Sequence, residues 1–111
     1  MLSVNKSALD RKKKFLRKYR VLQTKIERFE EMAEKNPERR EYYMGRRDNC
    51  RRMRNGIEFR IDMVDDGVLS EILFQKYICG KSFEQISYAL HYSKRQVERL
   101  HLKALGKLTV E

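Results

Sequence analysis

Tryptophan is absent from this 111-residue chain, proline occurs once, cysteine twice and glycine only five times. Each shortage excludes something. No glycine-rich loop of the kind that cradles a phosphate is present, there is no His-Glu-x-x-His, and no serine or cysteine has a base in an expected setting, so no enzyme activity and no cofactor is expected. Cys50 and Cys79 are far apart, with neither Cys-x-x-Cys spacing nor a histidine pair nearby. A zinc site and a disulfide framework are therefore not indicated, and both residues are expected to be reduced core thiols. His91 and His101, ten residues apart, lack further ligands for a metal. The longest apolar runs are only a few residues, so no membrane span and no hydrophobic signal core is expected, which makes a cytoplasmic location the default.

Positive charge is abundant. Lys and Arg number 26 against 16 Asp and Glu, a net charge of +10 that favours polyanionic partners, nucleic acid first among them. The excess is lopsided: residues 1–64 hold 19 basic and 10 acidic side chains, residues 65–111 only 7 and 6. These halves also differ in pattern, and they are read as two units, a basic helical extension over 1–64 and a compact unit over 65–111.

The C-terminal unit is punctuated like three short helices. Val68, Ile72, Leu73, Tyr77 and Ile78 form an amphipathic stripe that ends at Gly80, suited to a left-handed cap, and Asp65-Asp66 precede it as N-cap candidates. Ser82 with Gln85 has capping-box spacing, followed by Ile86, Ala89 and Leu90. Ser93 with Gln96 repeats that spacing, and Tyr92 is placed to staple onto Val97. After Ser93, Val97, Leu100, Ala104, Leu105 and Leu108 make one apolar stripe, while Lys94, Arg95, Arg99, Lys103 and Lys107 fall mostly away from it. Short helix, tight turn and longer helix are the proportions of a helix-turn-helix whose last helix reads DNA. The plainer reading, a solvated basic face on an ordinary core helix, makes the two capping boxes and the short turn coincidental.

The N-terminal half has the pattern of a helical hairpin. Phe15, Tyr19, Leu22, Ile26, Phe29 and Ala33 step by four and three, a heptad stripe that needs a partner helix. Asn36-Pro37-Glu38 supplies a break and a restart, with Asn36 expected as N-cap and Pro37 at the first helical position. A weaker stripe follows through Tyr43, Cys50, Met53, Ile57, Ile61 and Val64, interrupted by Gly45 and Gly56. Ile57, Phe59, Ile61 and Met63 also alternate as a strand would, but no second strand pattern exists to pair with them, and helix is preferred. The expected fold class is thus all-α, a helical hairpin followed by a trihelical helix-turn-helix unit, with the subunit a monomer or weak homodimer.

The segment ILFQKYICGKSFEQISYALHYSKRQVERLHLKALGKL, about a third of the chain, resembles region four of sigma-70-type factors. The family frame is matched at Tyr77, Gly80, Ser82, Ile86, Leu90, Ser93, Val97, Lys103, Ala104, Leu105 and Leu108. The resemblance implies recognition of duplex DNA of the promoter −35 type, with RNA polymerase as a second partner through its beta-subunit flap. It also implies base contacts from Lys94, Arg95, Glu98 and Arg99, and phosphate contacts from Lys81 and Ser82, to which the basic Lys103 is added. Two departures bear on this. His91 stands where the family has its turn glycine, a substitution tolerable because His enters the left-handed region more readily than most residues. The charge order Lys/Arg/Glu/Arg differs from that of housekeeping members, which implies a different target.

The remaining residues carry no tryptophan and no sign of the separate domain that melts a promoter, so the chain resembles region four working alone. Small phage late-transcription regulators of the ArpU and RinA type are similar in plan. A DNA-binding transcriptional regulator is the leading expectation; a structural DNA-handling protein such as a phage small terminase subunit, and an RNA-binding helical hairpin, are the alternatives. For the last of these the relevant features are two arginine- and lysine-rich runs, residues 11–20 and 46–54, and the pair Tyr42-Tyr43, which packing at a hairpin turn explains more simply than base stacking.

Overall fold

A run of thirty residues without Gly or Pro forms one uninterrupted helix, α1 (Lys6–Lys35), in the computed structural model, which describes residues 6–110. A single 3-10 turn (Pro37–Arg39) reverses the chain into α2 (Arg40–Asp62). The C-terminal unit follows as α3 (Gly67–Leu73), widening into a π-helical turn over Phe74–Ile78, then α4 (Phe83–Leu90) and α5 (Lys94–Lys107). The described residues are all-α, with no strand.

The hairpin is antiparallel within one chain. Tyr19 donates to Glu58 (2.9 Å), Arg54 to Gln23 (2.6 Å) and Arg47 to Glu30 (2.8 Å), pairs that advance along α1 as they retreat along α2. Leu22, Ile26, Phe29 and Ala33 are buried along this seam, as their spacing predicts, whereas Phe15 and Tyr19 are only half-buried. On α2 the seam takes Ile57 and Ile61, with Val64 just beyond, and passes through Arg54 instead of Met53, which is 56% exposed. The four-and-three step from Cys50 through Arg54 to Ile57 explains the difference: the aliphatic stem of an arginine can cover apolar surface while its guanidinium reaches Gln23. Gly45 and Gly56 lie within α2 without breaking it, and the Ile57–Met63 alternation is helical.

Asn36 does not play the expected role. Its side-chain amide and its backbone N–H both donate to the Met32 carbonyl, at 2.9 and 3.0 Å, so it closes α1 rather than capping α2. Asp66 behaves as expected and accepts from the N–H groups of Val68 and Leu69, both at 3.0 Å. Asp65 instead pairs with Lys107 at 3.7 Å.

The two units share one core. Leu16 and Leu22 of α1, Ile57 and Ile61 of α2, Leu69, Leu73 and Tyr77, and Ala104, Leu105 and Leu108 form a single apolar cluster across residues 64 and 65. Leu16, fully buried, lies off the heptad stripe because the N-terminal half of α1 has neighbours on two sides, α2 and the C-terminal unit. Lys12 extends this contact: its Nζ donates to the Leu105 carbonyl at 2.9 Å in the last turn of α5, where that oxygen also accepts from the Leu108 N–H at 3.2 Å. Cys79 is exposed and Cys50 half-buried, so neither is the core thiol expected from sequence; Cys79 follows the π-helical turn, at a helix end rather than on its buried face.

Gly80 sits at the junction of the units. Its φ of 73° closes the third helix, and the Lys81 N–H reaches back six residues to the Gln75 carbonyl at 3.0 Å, one residue wider than a Schellman bond, after the π-helical turn. Arg20 of α1 donates to the neighbouring Ile78 carbonyl at 3.2 Å, and a Cβ on residue 80 would lie 2.7 Å from that guanidinium. Gly80→Ala should therefore cost about 1–2 kcal/mol from the left-handed backbone alone, with Arg20 displaced as well. Urea unfolding with an unchanged midpoint would refute this.

Candidate nucleic-acid interface

The turn between α4 and α5 positions the basic helix. Ser82 opens α4 with a complete capping box, its hydroxyl accepting from the Gln85 N–H at 3.1 Å and its own N–H donating to Gln85 Oε1 at 2.9 Å. His91 closes α4 in the left-handed region (φ 61°, ψ 36°), where the sequence departs from glycine, and the Tyr92 N–H bonds back to the Ser87 carbonyl. Ser93 then accepts from the Gln96 N–H at 3.1 Å and starts α5; the reciprocal side-chain bond seen at Ser82 is not formed here. Ile72, Ile86 and Val97 are buried together, with Tyr92 packed against them as the staple reading expects.

With Val97, His101, Ala104 and Leu105 turned inward, α5 turns Lys94, Arg95, Arg99 and Lys103 out, all exposed. Arg95, Arg99 and Lys103 recur every four residues and form one row. None of these four has a hydrogen-bond or ion-pair partner among the described residues. Glu98 is also exposed but stands at the edge of the row that faces α1. Lys81 is half-buried and Ser82 exposed at the start of α4, and the next residue, Phe83, packs edge-on against His101 of α5 with ring centroids 5.0 Å apart.

The two basic runs of the hairpin differ sharply. In α2, Arg47 and Arg51 pair with Glu30, Arg54 bonds to Gln23 and Asn55, and Arg52 bonds to Asn49. Arg46 lies over the Phe29 ring at 5.1 Å and donates to the Tyr42 hydroxyl, and Arg39 stacks at 4.6 Å over Tyr42, so this aromatic pair is engaged in packing. In the first half of α1, by contrast, Arg11, Lys13, Lys14, Arg17 and Lys18 have no such partners among the described residues. The two runs look alike in composition because their pairing depends on inter-helix register, which composition does not show.

A cleft of about 300 Å³ opens where α1 passes α5, lined by Lys13, Arg17, Lys76, Phe83, Glu98 and Leu102, with Tyr77 and His101 at its base. Lys76 was not singled out from sequence, and its amine rests 4.2 Å from the Phe83 ring centre. Tyr77 Oη and His101 Nε2 are 2.8 Å apart, a bond that either neutral tautomer completes. Burial, reinforced by the charges of Lys13, Lys76 and Arg17, holds the imidazole down at about 4, and burial pushes the Tyr77 phenol up to about 12. His101 was read from sequence only as a histidine without co-ligands; its place on the inward stripe beside Val97 and Ala104 was the available signal.

This pair makes a pH prediction. In the unfolded chain His101 takes up its proton near its ordinary value of 6.5, in the folded chain only near 4, so stability is lost as pH falls from 6.5 to 4. At about 1.4 kcal/mol per unit the loss reaches at most about 3 kcal/mol. His101→Gln, neutral throughout, should remove most of that slope from urea midpoints measured across this range. An equally steep slope in the variant would assign the acid sensitivity to other groups.

None of the described helices is long and apolar enough to cross a membrane, and no group of three or more His, Cys, Asp or Glu among the described residues is arranged to hold a metal. No family model, no curated protein and no solved structure matches this chain, so its chemistry rests on these side chains themselves.

Proposed function

We propose that this chain is a sequence-specific DNA-binding transcriptional regulator of sigma region-four type, with α5 as the helix that enters the major groove. One observation carries the reading: α5 turns out four cations without intramolecular partners, three of them in one row, directly after a tightly capped turn, in a chain of net charge +10. In this arrangement Arg95 and Arg99, one turn apart, address base edges, with Lys94 and Glu98 beside them, while Lys103 and the start of α4 at Lys81 and Ser82 meet phosphates. Engagement of the α2 arginines within the hairpin weighs against an RNA-binding hairpin. The expected setting is the cytoplasm, with RNA polymerase as second partner and a phage late-transcription role, the protein acting as a monomer or weak homodimer.

Selection of bound duplexes from a random pool tests the reading. An enriched motif is expected, and a palindromic one would point to a dimer. Recovery of random sequence at physiological salt would replace the regulator with a general polyanion binder.

A further inference from the structure

The cleft between α1 and α5 is unused by the reader helix, yet three cations from two elements converge on it. Lys13 and Arg17 stand one turn apart on α1, and Lys76 reaches in from the π-helical turn. None of the three has an ion-pair or hydrogen-bond partner among the described residues, although Glu98 lines the same cleft. Like charges held together without a counterion repel one another, so the arrangement is relieved by an anion. π-helical turns inside helices recur at functional sites, and this one carries Lys76. The cleft flanks α5 on the side of Glu98 and Leu102 and is closed at one end by Phe83, next to the proposed phosphate contact at Ser82.

We infer that this cleft seats a backbone phosphate of the bound duplex beside the groove that α5 enters, so that α1 forms part of the DNA-binding surface. The inference rests on the regulator reading and adds to it a second element and a named phosphate seat.

His101 at the base is a built-in reporter. The groups that face it are Tyr77 and Lys76 from the third helix and its π-helical turn, Lys13 and Arg17 from α1, Phe83 from α4, and Glu98 from its own helix. A phosphate among the cations cancels part of the field that now disfavours the imidazolium, so His101 should titrate at higher pH in the complex than in the free protein.

The experiment uses the whole chain and a duplex carrying its selected site. Histidine resonances are followed against pH with and without duplex, and affinity is measured against salt for wild type and for the triple variant Lys13→Gln, Arg17→Gln, Lys76→Gln. An upward move of the His101 titration on binding is expected, together with a loss of roughly one from the slope of log affinity against log salt in the variant. The control Lys25→Gln, exposed roughly two turns beyond Arg17, should leave the slope unchanged.

If the wild-type chain bound no duplex, the seat and the regulator reading would both fall. Sequence-preferring binding with an unmoved His101 titration and an unchanged slope in the triple variant would overturn the seat alone. Slope losses proportional to the charges removed, with Lys25→Gln losing about a third of what the triple variant loses, would reduce the effect to net charge and overturn it too. Inorganic phosphate, titrated as a separate arm, distinguishes the source: saturation of the His101 shift by free phosphate, with none from duplex, would make this a small-anion site and refute the inference.

Discussion

Replacing Leu22 and Ile26 together by Asp should abolish the cooperative unfolding transition and most of the helical signal of the whole chain at any protein concentration. Both side chains are buried within one chain, 6% and 3% exposed. Each substitution forfeits about 1.5–3 kcal/mol of apolar burial. It also places a carboxylate in the seam at a further cost of several kcal/mol. Together these losses match or exceed the roughly 5–15 kcal/mol that holds a domain folded. The damage is not confined to the hairpin, because Leu22 lies in the cluster that also contains Leu69, Leu73 and Leu105. Sedimentation and circular dichroism decide the matter. A double variant that stayed helical and passed from dimer to monomer would make this stripe a seam between subunits and contradict the intrachain hairpin.

Arg95→Ala and Arg99→Ala should each cost about 1–3 kcal/mol of affinity for the selected duplex if they form bidentate contacts with guanine, and far less for random duplex. Both side chains are exposed, so neither change should move the unfolding midpoint. That separation of binding from folding makes the result interpretable. Lys103→Ala provides the contrast, weakening both duplexes alike and reducing the salt slope by about one. Equal losses on selected and random duplex from the arginine variants would leave α5 with phosphate contacts only and remove its base-reading role.

Periodicity and capping made much of this architecture legible. The stripe from Leu22 to Ala33, the left-handed cap at Gly80, the starts of α4 and α5 at Ser82 and Ser93, and the left-handed His91 all follow from local chemistry. What escaped depends on which helix lies beside which. Leu16 is buried because α5 and the third helix cover a second side of α1, and no periodicity within α1 records that. Asn36 could donate backward to Met32 or accept forward from α2, and the 3-10 turn at Pro37 leaves it the backward bond. The π-helical turn over Phe74–Ile78 has no Gly or Pro to announce it, and such widening of a helix is a property of its neighbours as much as of its residues. For the candidate site, the outward row of α5 was visible as a row, whereas the cleft required α1 to be brought across most of the chain's length.

The bond from Lys12 to the Leu105 carbonyl joins residues 93 apart in sequence. On the ribosome α1 emerges before α5, yet the surface that covers Leu16 includes that later helix. The hairpin can close early through local contacts between α1 and α2, while the first turns of α1 must wait, apolar side uncovered, for α5 to arrive. The order of synthesis thus runs against the order of need. A chain stalled before residue 94 should hold a protected hairpin around Ile26 and a stretch around Leu16 that is open to protease or chaperone until α5 has been made.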